Sequence, residues 1–191
     1  MFKEDTMKYL LKMLGLMLLI IFVALGLVFL GDALLGKKGE APEVALPNPH
    51  PQYLVDWVLA KSAHISSQTA KSIVKEAMAT DKPLLVLAII PVESEFVSSA
   101  VSKKGAIGLM QVMFDVHKDM LIKRGIIKDK RDLFDIEPNI QAGNAILDMY
   151  LGECKGDVAS ALERYLGGKD GEYLRRILSN LANLYLLTGN N

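Results

Sequence analysis

Cysteine, histidine and an excess of either charge are all scarce in this 191-residue chain, and each scarcity removes a class of function. Cys154 is the sole cysteine, so no intramolecular disulfide can form and a small disulfide-stapled scaffold is excluded. His50, His64 and His117 are isolated, and with one cysteine they offer no zinc-ligand spacing, so no metal and no other cofactor is expected. Lys plus Arg number 22 and Asp plus Glu number 22, leaving a formal net charge of zero. Proteins that grip phosphates carry a basic excess, so nucleic acid is not an expected partner. No segment alternates apolar and polar residues between turn signals, and no internal repeat occurs, so a sheet-based fold is not expected. What the chain does have is apolar material. Hydrophobic residues make up 51% and charged residues 23%, enough at this length for one packed domain.

Part of that apolar content lies near the start. Met13 to Gly31 carries no charge, and as a helix it spans about 28 Å, close to the roughly 30 Å hydrocarbon core of a bilayer. The run is longer than the apolar region of a cleaved signal peptide, about 7 to 15 residues, and Leu30 to Leu35 makes a poor cleavage site. We therefore expect a short tail over 1–12, a single transmembrane anchor over 13–35, a proline-rich tether over 36–52 and a folded domain over 53–191. Pro42, Pro47, Pro49 and Pro51 make the tether extended and semi-rigid, with a reach of about 45 Å. Lys3, Lys8 and Lys12 before the span against Lys37 and Lys38 after it place the N-terminus inside and the domain outside the cytoplasm.

Beyond the tether the periodicity is helical. Leu54, Trp57, Val58 and Ile65 suggest a short first element. Ala70, Ile73, Val74, Ala77 and Met78 mark one buried helix face, with Ser66 as its N-cap. Pro83 suits a first helical position, and Leu84 to Val92 is apolar on every side, which predicts a helix from Pro83 to about Phe96 buried in mid-domain. Further helices are predicted from Glu137–Pro138 to Tyr150 and over Val158 to Leu166, the latter stopped by Gly167 and Gly168. Leu174, Ile177, Leu178, Leu181, Leu184 and Tyr185 predict a last helix with one continuous apolar stripe. The domain is read as all-α.

The placement of one carboxylate stands out. Glu93 follows nine residues without a charge, so its carboxyl is predicted to be partly desolvated, with a raised pKa suited to a general acid. A solvent-facing Glu93 at the exit from the core is the bland alternative.

Around it come Glu93-Ser94, then Ala100-Val101-Ser102, then Gly108-Leu109-Met110-Gln111, and later Leu133-Phe134-Asp135 before Asn139-Ile140-Gln141-Ala142-Gly143. In this order and spacing, over about residues 65–185, the sequence resembles the lytic transglycosylases, that is, the soluble-lytic-transglycosylase (SLT) catalytic domain of the goose-type-lysozyme-like superfamily. The resemblance implies a lysozyme-like helical domain that cuts peptidoglycan between N-acetylmuramic acid and N-acetylglucosamine without water. It implies Glu93 as the catalytic residue, first protonating the glycosidic oxygen and then taking the proton of the C6 hydroxyl to leave a 1,6-anhydro end. Substrate contacts are implied for Ser94, Ser102, Gly108, Met110, Gln111 and Tyr165, with the Tyr165 hydroxyl supporting the catalytic carboxylate. Ser102 also reads as a turn residue and Met110 as core packing.

Two departures from the pattern are visible. Leu166 stands where the family has Asn, and Pro91 sits inside the proposed helix, where it removes a backbone hydrogen bond. Glu95, Asp115 and Asp119 could each serve as a second carboxylate for hydrolysis, but read more simply as solvated surface, as do the scattered Lys and Arg. The expected partners are therefore peptidoglycan strands, the membrane through residues 13–35 and an envelope-spanning assembly. The expected location is a bacterial inner membrane, with the domain on the periplasmic or cell-wall side. The alternative from another class is a non-catalytic helical peptidoglycan-binding or scaffold protein of such an assembly.

Overall fold

The computed structural model describes residues 51–188, and the expected tail, anchor and nearly all of the tether lie outside them. Seven α-helices carry the described residues: α1 Gln52–Lys61, α2 Ser67–Met78, α3 Pro83–Glu93, α4 Phe114–Lys123, α5 Ile136–Glu153, α6 Val158–Leu166 and α7 Gly171–Thr188. Among these residues no helix is long and apolar enough to cross a membrane.

The centre of the domain is α3. Leu85 to Pro91 are all buried, and each large aliphatic side chain there contributes about 1.5–3 kcal/mol by leaving water. Such a helix needs cover on every side. The long C-terminal α7 lies against it most extensively, with α2 and α5 also in contact. Pro83 occupies the first turn as expected, and Pro91 is accommodated inside the helix, which runs on to Glu93. Near Pro91, the Nδ2 of Asn180 on α7 donates to the Ala88 carbonyl at 3.1 Å.

Elements that the pattern predicted are capped as the chemistry requires. The Ser66 hydroxyl accepts from the Thr69 N–H at 3.0 Å, and Ala70, Ile73, Val74 and Ala77 are fully buried, while Met78 is 39% exposed. Asp157 caps α6, and Gly167, at φ 81°, ends it in the left-handed conformation that glycine adopts without penalty. Three readings change. Residues 94–96 leave α3 and turn, and Ile65 lies in the connection after α1 rather than in a helix. On α7 the buried row is Tyr173, Ile177, Asn180 and Leu184, whereas Leu178 and Tyr185 are 46% and 60% exposed. The apolar residues keep to one stripe, but the buried row runs along its edge, so Leu178 and Tyr185 fall on the exposed side of that stripe.

Three further features went unpredicted: α4, a 3₁₀ turn over Lys130–Phe134, and a small antiparallel hairpin pairing β1 Ala106–Ile107 with β2 Val112–Met113. Strands of two residues are too short to show an alternating pattern. The domain remains essentially helical, with the hairpin inserted between α3 and α4.

Candidate active site

Glu93 is the last residue of α3, so its position is set by the most deeply buried helix of the domain. It is partly buried. That burial pushes its carboxyl above the usual range, opposed by a hydrogen bond from Tyr173 and by the positive charge of Arg176. The Tyr173 hydroxyl donates to Glu93 Oε1 at 2.6 Å. Tyr173 is held in turn by Asp170, whose Oδ1 accepts the Glu172 and Tyr173 N–H groups at 2.9 and 3.2 Å and so fixes the first turn of α7.

The chain reverses immediately after this carboxylate. Glu95 and Phe96 both take left-handed backbone angles, φ 52° and 65°, which non-glycine residues adopt only where the surroundings hold them. Phe96 supplies the hold: it is 1% exposed and meets the edge of Trp57 at 6.4 Å between centroids.

Most of the expected contact residues form a frame under the carboxylate. Ser94 is 8% exposed, and its hydroxyl donates to the Leu109 carbonyl at 2.7 Å. Expected to touch substrate, it instead ties the end of α3 to the loop Gly108–Gln111. Met110, expected to line a cleft, is fully buried, and any side chain at Gly143 would strike it. Its backbone is what the site uses. The Met110 N–H donates to Asn139 Oδ1 at 2.8 Å, and its carbonyl accepts the Tyr165 hydroxyl at 2.8 Å. Tyr165 therefore does not hydrogen-bond Glu93; the hydroxyl that does belongs to Tyr173. The Glu93 charge still reaches Tyr165, whose phenol is pushed well up by burial first and by Glu93 second.

Gly108 has φ 75°, and a Cβ there would collide with Asn139 and the Leu133 carbonyl, so only glycine fits. Ser102 closes the turn before β1, its hydroxyl accepting the Ala106 N–H at 3.0 Å, which is the turn role weighed from sequence. Gln111 donates through Nε2 to the Gly108 and Ala100 carbonyls at 2.9 and 3.3 Å. Its Oε1 accepts no hydrogen bond from the described residues, which suits an incoming donor such as an amide.

Asn139, noticed in the sequence only as part of a motif, is the clamp of this frame. Besides holding the Met110 N–H, its Nδ2 donates to the Ile107 and Leu133 carbonyls at 2.9 and 2.7 Å. Tyr173 was missed altogether. Its only local signal is its place four residues before Ile177 on the buried face of α7.

Glu95, Asp115 and Asp119 are all exposed, and no carboxylate is among the groups acting on Glu93. No cluster of three or more His, Cys, Asp or Glu able to hold a metal occurs among the described residues. An open depression of about 630 Å³ lies between α5, α6 and the α6–α7 connection, lined by Tyr150, Cys154, Glu163, Arg164, Gly167 and Lys169.

The site is thus one carboxyl in a low-polarity setting, with a phenol that favours its ionised form. Such a group can give a proton and take one back. Tyr173→Phe deletes the bond to the charged form, so the Glu93 carboxyl should titrate at still higher pH. Carboxyl-carbon NMR of Glu93 reads this directly, and a midpoint that stays put or falls refutes the assignment.

Comparison with known proteins supplies the family. A family model described as Transglycosylase SLT domain matches residues 70–176, more than half of the chain. The chain is 38% identical over 101 residues to membrane-bound lytic murein transglycosylase C of Edwardsiella ictaluri, covering 48% of this chain and 28% of that protein. It is 37% identical over 83 residues to the protein of that name in Photorhabdus laumondii, covering 42% and 23%. A peptidoglycan-binding-like protein of Escherichia coli O157:H7 is 35% identical over 117 residues, covering 56% of this chain and 68% of that protein. The chain thus spans about a quarter of the length of the two transglycosylase relatives.

Proposed function

The chain belongs to the transglycosylase SLT-domain family, and on that premise we propose that it is a peptidoglycan lytic transglycosylase with Glu93 as its catalytic residue. The carrying observation is the raised carboxyl of Glu93 at the end of α3, bonded by Tyr173 and without a second carboxylate among the groups that act on it.

Hydrolytic glycosidases use a second carboxyl about 5–9.5 Å away as nucleophile or base. Glu95, Asp115 and Asp119 are exposed and none is among the groups that shift Glu93, which supports a reading in which the sugar's own groups take that part. Protonated Glu93 gives its proton to the glycosidic oxygen as the bond to the muramic-acid anomeric carbon breaks. The acetamido oxygen of that sugar shields the developing positive charge. Ionised Glu93, steadied by Tyr173, then removes the C6 hydroxyl proton as that oxygen closes on the anomeric carbon. Water is not consumed, and Glu93 ends protonated as it began. Gln111 Oε1 is the polar group available to a substrate amide, and Ser102 lies on the turn beside it in the frame.

We further read residues 13–35 as an anchor and 36–52 as a tether that hold the domain on the cell-wall side of a bacterial inner membrane. The support is the uncharged run and the membrane-bound relatives. The full chain should stay with membranes through an alkaline wash, whereas a chain beginning at residue 36 should be released; recovery of the full chain in the wash refutes the anchor.

The decisive test of the activity is incubation with peptidoglycan sacculi and mass spectrometry of the soluble products. Anhydro-muropeptides are expected. Reducing-end products would instead indicate hydrolysis, and no products from several wall types would leave the non-catalytic scaffold.

A further inference from the structure

A pocket of about 320 Å³ opens beside the carrier of Glu93, lined among others by Lys61, Pro91, Glu95, Arg175, Arg176 and Ser179. Three elements converge on it: the end of α1, the end of α3 with the turn that follows, and the first half of α7. Its charge is lopsided. Three cations face one carboxylate in a chain whose formal net charge is zero, so the excess is local rather than a product of composition.

Two of these cations are not committed to a carboxylate. Arg175 is, its Nε and Nη2 both donating to Glu172 on its own helix, at 2.8 and 2.5 Å. Lys61 sits over the Trp57 ring, 5.5 Å from its centroid, and neither it nor Arg176 forms an ion pair with any carboxylate of the described residues. Arg176 is exposed, yet its charge is felt at Glu93, so pocket and reactive carboxyl share one electrostatic field.

A glycan strand positioned for cleavage supplies an anion in that neighbourhood. The sugar whose anomeric carbon reacts at Glu93 is a muramic acid, and its lactyl group carries a short peptide with free carboxylates. Each stem residue reaches about 3.3–3.6 Å, so the first few residues stay close to Glu93. Arg176 presents a planar fork that fits a carboxylate with two parallel bonds, and the Ser179 hydroxyl offers a further donor.

We propose that the pocket bounded by Lys61, Arg175 and Arg176 is a subsite for carboxylates of the peptide stem on the muramic acid held at Glu93. The proposal rests on the glycan-cleaving reading above. It makes stem-bearing strands the preferred substrate, with the preference set by charge rather than by the sugar.

Calorimetric binding to the full chain carrying Glu93→Gln tests this without turnover, comparing a muramyl disaccharide bearing its peptide with the same disaccharide stripped of it. The peptide should tighten binding about tenfold, and that advantage should shrink below about twofold in Lys61→Ala/Arg176→Ala and at half-molar salt. Arg176→Lys should keep part of it. Both substituted side chains are exposed, so an unchanged melting temperature is expected and separates lost contact from lost fold. Equal affinity for the two ligands, no binding of either, or an advantage that survives the double substitution overturns the proposal. Failure of the cleavage reading would register separately, as an absence of anhydro products from the unsubstituted chain.

Discussion

Glu93→Gln should remove anhydro-muropeptide release almost completely, lowering turnover by about a thousandfold or more. Acid–base assistance is typically worth about 10²–10⁴-fold, and in the proposed reaction one side chain supplies both proton transfers. Glu95, two residues on, is exposed and is not among the groups acting on Glu93, so it is not expected to replace it. The amide keeps the size and can still accept from the Tyr173 hydroxyl, so the frame is preserved. The variant should also melt higher than the parent at neutral pH. The sign follows from the raised carboxyl: below the unfolded value of 4.5 both states bind the proton and Glu93 is neutral toward stability. As pH rises through the folded value, ionising a desolvated group costs the native state, and the amide escapes that cost. The melting advantage should therefore be absent near pH 3.5 and grow as the pH is raised. Retained turnover in the variant, or an advantage largest in acid, would place the chemistry elsewhere.

Asn139→Ala should be the most damaging substitution for stability, by about 3–5 kcal/mol. Its amide completes three buried contacts, with the Met110 N–H and the Ile107 and Leu133 carbonyls, and each orphaned group costs about 1–3 kcal/mol unless water replaces the partner. Set against the roughly 5–15 kcal/mol that holds a typical domain, this brings the hairpin loop close to melting. Asn139→Asp should fare little better, because it keeps the acceptor for Met110 but aims oxygen at two carbonyls. Urea titration gives the value directly, and a loss under about 1 kcal/mol would mean that the clamp is dispensable.

Legibility in the sequence followed how local each signal is. The helices α2, α3 and α6 could be read because their burial repeats within a single turn, and Ser66, Pro83 and Gly167 mark ends that depend on neighbouring backbone alone. The raised carboxyl of Glu93 could be anticipated for the same reason, from its place at the end of an uncharged run. The helix α4 escaped because Leu121 is its only buried residue, which leaves almost no periodic signal. The partners of Glu93 are long-range. Tyr173 lies 80 positions away, and nothing near it distinguishes its hydroxyl from that of Tyr165, which bonds Met110 across 55 positions. The motif residues were visible, but their roles were not: a buried Ser94 and Met110 act through the hydroxyl-to-carbonyl and backbone bonds of a frame, and sequence cannot tell a wall from its supports.

The turn at Glu95 and Phe96 sets how the two proton transfers must be choreographed. Glycine at those positions would make a pivot; two bulky residues in left-handed angles, one wedged beside Trp57, make a lock. Swinging the carboxylate between the leaving oxygen and the C6 hydroxyl by bending the backbone would require pulling an aromatic ring out of the interior. The backbone beneath the carboxylate is held, so in the proposed reaction any adjustment between the two oxygens falls to the side-chain torsions of Glu93 and to the sugar ring.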